Sequence, residues 1–122
     1  MLEVWFWQRI ISPHMAVLAV ELARKGCLVT YVTEEVMTSD RAALGWLAPE
    51  LPGVELRRAA TAHQAAALVT DAPERAVHLC EGIRSNGVVA AAQHALAQRG
   101  LGFWVIMETV EDAGLAGLVR RL

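Results

Sequence analysis

Glu3-Val4-Trp5-Phe6-Trp7-Gln8, then Ser12-Pro13-His14, then the apolar stretch Met15 to Leu22, with Gly26 behind it and Leu28-Val29-Thr30-Tyr31-Val32 after that, is the run that decides the fold. The first segment is short, aromatic and apolar, as a buried strand is. Serine is a favoured N-cap, and proline is preorganised for the first helical turn, so a helix is expected from Pro13 to about Lys25. Met15, Leu18, Ala19 and Leu22 fall on one face of that helix, and Gly26 is placed to stop it. The β-branched run from Leu28 to Val32 then reads as a second strand. A strand running directly into a helix marks the ligand-binding edge of a parallel α/β sheet. His14 stands in the first helical turn, close to backbone N–H groups that have no partner within the helix.

The same alternation continues outward. Thr33 to Thr38 reads as a loop carrying Glu34 and Glu35, followed by a short helix from Ser39 to about Leu47 that Pro49 and Pro52 end. Val54-Glu55-Leu56-Arg57 alternates apolar and polar residues, as a shorter and more exposed third strand does. Thr61 with Gln64 three residues later matches a capping box, so Ala62 to Val69 is expected to be helical. Ala76 to Cys80 is the fourth strand, and Asn86 to Arg99 an alanine-rich helix stopped by Gly100. Phe103 to Met107 is a fifth, wholly apolar strand, and Asp112 to Leu122 a last helix. The order predicts a single α/β domain over residues 1–122, with three α/β/α layers around a mostly parallel sheet of about five strands. The apolar strands, the fifth above all, fit a sheet covered on both faces. The chain stops inside a helical pattern, as expected of one half of a longer protein or of a chain completed by a partner.

Composition narrows the function. With 55% hydrophobic residues the chain has the material for a core, and a net charge of -2 gives no support for nucleic-acid binding. No run reaches the ~18 apolar residues that cross a bilayer, and Glu3 and Gln8 interrupt anything resembling a signal peptide. A cytoplasmic protein is expected. Cys27 and Cys80 lack zinc or redox spacing and read as free, buried thiols in apolar strand-like runs. The histidines are too scattered for a metal site.

Four loops qualify as the ligand edge: Gln8 to His14, Thr33 to Thr38, Glu81 to Arg84 and Glu108 to Glu111. They carry Arg9, His14, Glu34, Glu81, Arg84 and Glu108. A histidine, arginines and carboxylates gathered there suit a hydroxylated or phosphorylated ligand. Each has a plainer reading as well: His14 as an exposed helix start, Glu81 and Arg84 as a pair across their own loop. His78, inside a strand, reads as a core residue with a hydrogen bond, and His63 and His94 as surface residues. Trp5, Trp7 and Trp104 read as core, and Trp46 as the tryptophan most open to a sugar. The first strand–helix turn contains no glycine, so a dinucleotide pyrophosphate cannot approach its backbone in the usual way. Walker and Gly-x-Ser-x-Gly motifs are also absent. The acidic pair of a response-regulator receiver is missing too.

Phe6-Trp7-Gln8, Ser12-Pro13-His14, Leu18-Ala19, Glu21-Leu22-Ala23-Arg24-Lys25-Gly26 and Val29-Thr30-Tyr31-Val32 together resemble the opening of a GT-B glycosyltransferase. The likeness is to the GT4-like (glycosyltransferase group 1) retaining enzymes. His78-Leu79-Cys80-Glu81-Gly82 and Ile106-Met107-Glu108-Thr109 resemble the fourth and fifth strand ends of the same half. The resemblance implies a Rossmann-like N-terminal domain that binds the acceptor, facing a C-terminal half that binds the nucleotide sugar. It implies hexose transfer without a metal or other cofactor, with the donor-binding basic residues and Glu-x7-Glu carboxylates in the second half. Arg9, His14, Glu81, Arg84 and Glu108 would then face the cleft from the acceptor side. Peripheral membrane association would follow where the acceptor is a lipid. The family's glycine-rich first loop is missing here. A non-enzymatic interaction module and a small nucleotide-binding regulator are the other readings.

Overall fold

The computed structural model describes residues 1–35, 49–82 and 87–106. The elements run β1 (Glu3–Gln8), α1 (Pro13–Arg24), β2 (Leu28–Thr33), β3 (Glu55–Arg58), α2 (Ala62–Asp71), β4 (Val77–Glu81), α3 (Gly87–Gln98) and β5 (Trp104–Ile106). The five strands form one sheet in the order β3-β2-β1-β4-β5, and every neighbouring pair is parallel. With the helices on its faces this is the Rossmann-like α/β/α architecture that the alternation predicts. The short helix expected over Ser39 to Leu47, the last helix, Trp46, Arg84 and Glu108 lie outside the described residues.

The ends of α1 follow from its sequence. Pro13 opens it, and Ser12 takes the extended N-cap backbone, though its hydroxyl makes no capping bond. Gly26, at φ +96, lets the chain turn back at the other end. There Gly26 N–H donates to the Ala23 carbonyl and Cys27 N–H to that of Leu22, both at 3.1 Å. This is the paired Schellman closure of a helix. At α2, Thr61 Oγ1 accepts the Gln64 N–H at 3.2 Å while Gln64 Oε1 accepts the Ala60 N–H at 2.7 Å. The capping box is present, with the return bond shifted one residue outward. The other end of α2 is held from α3's flank, where Arg99 Nη1 donates to the carbonyls of Val69 and Ala72.

Alternation along β1 divides the core. Val4 and Phe6 join Ala16, Ala19, Val29 and Tyr31 beneath α1, and Phe6 stacks on Tyr31 with ring centroids 5.3 Å apart. Trp5 and Trp7 face the other way, into a cluster with Val69 of α2 and Val88, Ala92 and Leu96 of α3. Each large side chain buried in this way contributes ~1.5–3 kcal/mol. His78 packs beside Trp7: Trp7 Nε1 donates to His78 Nδ1 at 3.0 Å, and the histidine is 1% exposed. It is the hydrogen-bonded core residue that the sequence suggests.

Three expectations need correction. Trp104 is 65% exposed and does not fill core. It lies on β5, which among the described residues is an edge strand paired with β4 and whose other residues are only half-buried. Among the described residues, the fifth strand is therefore not covered at Trp104. Cys27 is half-buried in the turn before β2, rather than in a strand, whereas Cys80 is buried in β4. Both thiols are free.

Candidate functional site at the carboxyl ends of the strands

Because every strand is parallel, their carboxyl ends share one edge. The strand order reverses direction between β1 and β4, which is where ligands settle in open α/β sheets. Gln8, Thr33, Arg58 and Glu81 end the four strands around that point. A connected set of hydrogen bonds ties the ends together. Glu34 N–H donates to the Gln8 carbonyl at 3.3 Å and Glu35 N–H to the Arg9 carbonyl at 2.9 Å. Arg58 Nε donates to the Glu34 carbonyl at 3.1 Å.

Two carboxylates then bridge the switch point. Glu81 Oε2 accepts the backbone N–H of Arg9 at 2.9 Å, linking β4 to the end of β1. Glu34 Oε1 accepts the N–H of Val88 at 3.2 Å, placing a carboxylate on the first turn of α3. A negative group is favoured there by the helix dipole and the unpaired first-turn N–H groups. Gly87 makes room for it: a Cβ at that position would lie 2.5 Å from Glu34 Oε1. At the start of α1, Ser12 N–H donates to the Tyr31 hydroxyl at 3.3 Å, and residue 13, a proline, has no N–H to give. Tyr31 is fully buried, and its phenol is held well above the ordinary tyrosine range, chiefly by burial; the Ser12 bond opposes the shift, and the Glu81 charge adds to it.

Of the residues expected from sequence, Arg9 and Glu81 are brought into direct contact, through the Arg9 backbone. His14 is exposed in the first turn of α1, and the Arg9 side chain is exposed as well. Arg84 and Glu108 fall outside the described residues. Sequence reasoning counted Glu34 among the edge residues but did not foresee that it reaches α3, and it passed over Gln8, Thr33 and Tyr31. Gly87 is the one sequence signal for the Glu34 contact, as a glycine opening a helix beyond a strand. Among the described residues no cluster of metal-ligating side chains occurs, and no helix is long and apolar enough to cross a membrane. A shallow groove lined by Leu2, Glu3, Pro73 and Arg75 lies at the opposite end of the strands, away from this edge. No protein family, no curated protein and no solved structure matches the chain.

Proposed function

We propose that the chain is the acceptor-side half of a GT-B glycosyltransferase that moves a hexose from a nucleotide sugar to an acceptor hydroxyl. One observation carries the reading: three backbone N–H groups at the ligand edge are already committed to side chains of that edge. Those of Arg9, Ser12 and Val88 are taken by Glu81, Tyr31 and Glu34, and Pro13 has none. Phosphate recognition at a helix N-terminus needs free N–H groups and a positive field. This edge instead holds carboxylates, which accept the hydroxyl hydrogens of a sugar and repel a diphosphate. The exposed Arg9 and His14 side chains add donors from the β1–α1 turn. The likeness of Ser12-Pro13-His14 to the family's opening supports the same assignment. Arg84 and Glu108 belong to the same set by sequence. The second half of the enzyme would bind the donor and stabilise the departing diphosphate. The reading places the enzyme in the cytoplasm, at the membrane surface where its acceptor is a lipid, and asks for no cofactor.

Incubating the gene-length protein with radiolabelled nucleotide hexoses and an acceptor panel tests this. Transfer by the gene-length protein, with none by residues 1–122 alone, is expected. Robust transfer by the 122-residue chain alone contradicts the assignment, as does the absence of transfer from every donor. The exposed Trp104 on edge strand β5 favours a second reading, a non-enzymatic module that binds a partner through that edge. Loss of partner binding in Trp104→Ala, in a protein without transferase activity, would select it.

A further inference from the structure

Three polar side chains occupy one level of the sheet on its α1 face. Gln8 follows Phe6 by two residues on β1, Thr33 follows Tyr31 on β2, and Glu81 follows Leu79 on β4. Phe6 and Tyr31 belong to the core beneath α1, and Leu79 packs against it. The two-residue period of a strand places the next residues on that face as well. Gln8 pairs in register with Thr33. Glu81 comes one step past the Trp7–Cys80 pair, level with Gln8.

Gln8 is 3% exposed and Thr33 0%, yet Gln8 Nε2 and Thr33 Oγ1 have no hydrogen-bond partner among the described residues. A buried polar group left unpaired keeps its desolvation penalty with no bond to offset it. Two such groups side by side are a burden that a purely structural strand end has no reason to keep, since apolar residues of the same size would remove it. They are understandable where the partner arrives from outside. The neighbouring bonds fit that explanation. The segment from Arg9 to Ser12 is fastened at its ends by Arg9 N–H to Glu81 and Ser12 N–H to Tyr31. Both acceptors stand on the same face as the two unpartnered groups.

We propose that Gln8, Thr33 and Glu81 form a hydroxyl-binding subsite for a polyhydroxylated ligand, reached when the Arg9–Ser12 segment releases Glu81 and Tyr31. The inference rests on the acceptor reading and names the side chains that take the hydroxyls. Gln8 Nε2 donates to a ligand hydroxyl oxygen, and Thr33 Oγ1 both donates and accepts. The Glu81 carboxylate accepts a hydroxyl hydrogen in place of the Arg9 N–H.

Gln8→Met and Thr33→Val remove the polar atoms while keeping most of the volume. Melting temperature is one readout. The other is titration of the chain with methyl α-D-mannopyranoside, methyl α-D-glucopyranoside and myo-inositol, followed by 1H–15N spectra. Each variant is expected to melt above the wild type and to bind the responding polyol about tenfold more weakly. A lower melting temperature in both variants would mean that an ordered water already satisfies these atoms, which overturns the subsite. Unchanged polyol affinity in both, with a wild type that binds, overturns the subsite and leaves the acceptor reading standing. A wild-type chain that binds none of the three overturns both.

Discussion

The carboxylate of Glu34 occupies the space where residue 87 would carry a Cβ: Oε1 lies 2.5 Å from that position and accepts the Val88 N–H at 3.2 Å. A residue at the end of β2 thereby reaches across β1 to cap the helix that follows β4. Gly87 also has φ +66, a conformation that side chains rarely adopt. Gly87→Ala is therefore expected to destabilise the fold by about 1–2 kcal/mol in urea denaturation, from backbone strain together with the displaced Glu34 bond. The same substitution in a Glu34→Ala background should cost measurably less, because only the strain remains. Equal costs in the two backgrounds would show that the contact carries no energy.

His78 makes stability depend on acid. Its pKa is lowered from 6.5 to about 4, first by burial, then by the Arg99 charge, with Glu3 acting in the opposite sense. Trp7 Nε1 donates to Nδ1, so the neutral ring carries its proton on Nε2. Above the ordinary histidine value both native and unfolded chains hold it neutral, and it contributes no pH dependence. Below that value the unfolded chain takes up a proton that the native chain refuses, so stability falls as pH drops towards 4. About 3 kcal/mol should be lost across that window. His78→Asn keeps an acceptor for Trp7 but does not titrate, and unfolding free energies measured at intervals through the window should follow a flatter curve. An unchanged slope in that variant would assign the acid sensitivity elsewhere.

The two cysteines should differ in reactivity. Cys80 is fully buried, and its thiol is pushed up to about 12, chiefly by burial, with a Gln93 hydrogen bond partly opposing the shift. The nucleophilic thiolate is thus scarce and shielded. Cys27 is half-buried in the turn after α1. Native protein should react with a disulfide reagent at Cys27 alone, and Cys80 should follow only in denaturant. Equal native rates at both thiols would contradict the packing around β4.

The sheet was legible because its signals are local. Apolar strands, Pro13 at a helix start, Gly26 at its end and the Thr61–Gln64 pair each act within a few residues of themselves. Buried Trp5, Trp7 and His78 were legible for a related reason, since they sit in runs apolar enough to be central strands. Trp104 has the same surroundings in sequence, but whether a strand is central or at an edge depends on spatial order, which residue spacing does not carry. The contact from Glu34 to Val88 spans 54 residues and exists only because β2, β1 and β4 are neighbours. In sequence Gln8 closes the first strand and Thr33 opens a loop, and nothing in that local pattern marks either as buried. Both are buried, as are Ile10 and Ile11 in the β1–α1 turn beside them in sequence.

The central assignment is an edge that receives sugar hydroxyls and refuses a nucleotide diphosphate. It is tested most directly by titrating the 15N-labelled chain separately with UDP and with methyl hexopyranosides, and following the backbone amides of Arg9, Ser12, Glu34, Glu81 and Val88. Hexoside-dependent shifts at those amides with none from UDP are the predicted result. Saturable UDP shifts at Arg9, Ser12 and Val88, without a response to any hexoside, would contradict the acceptor-side assignment.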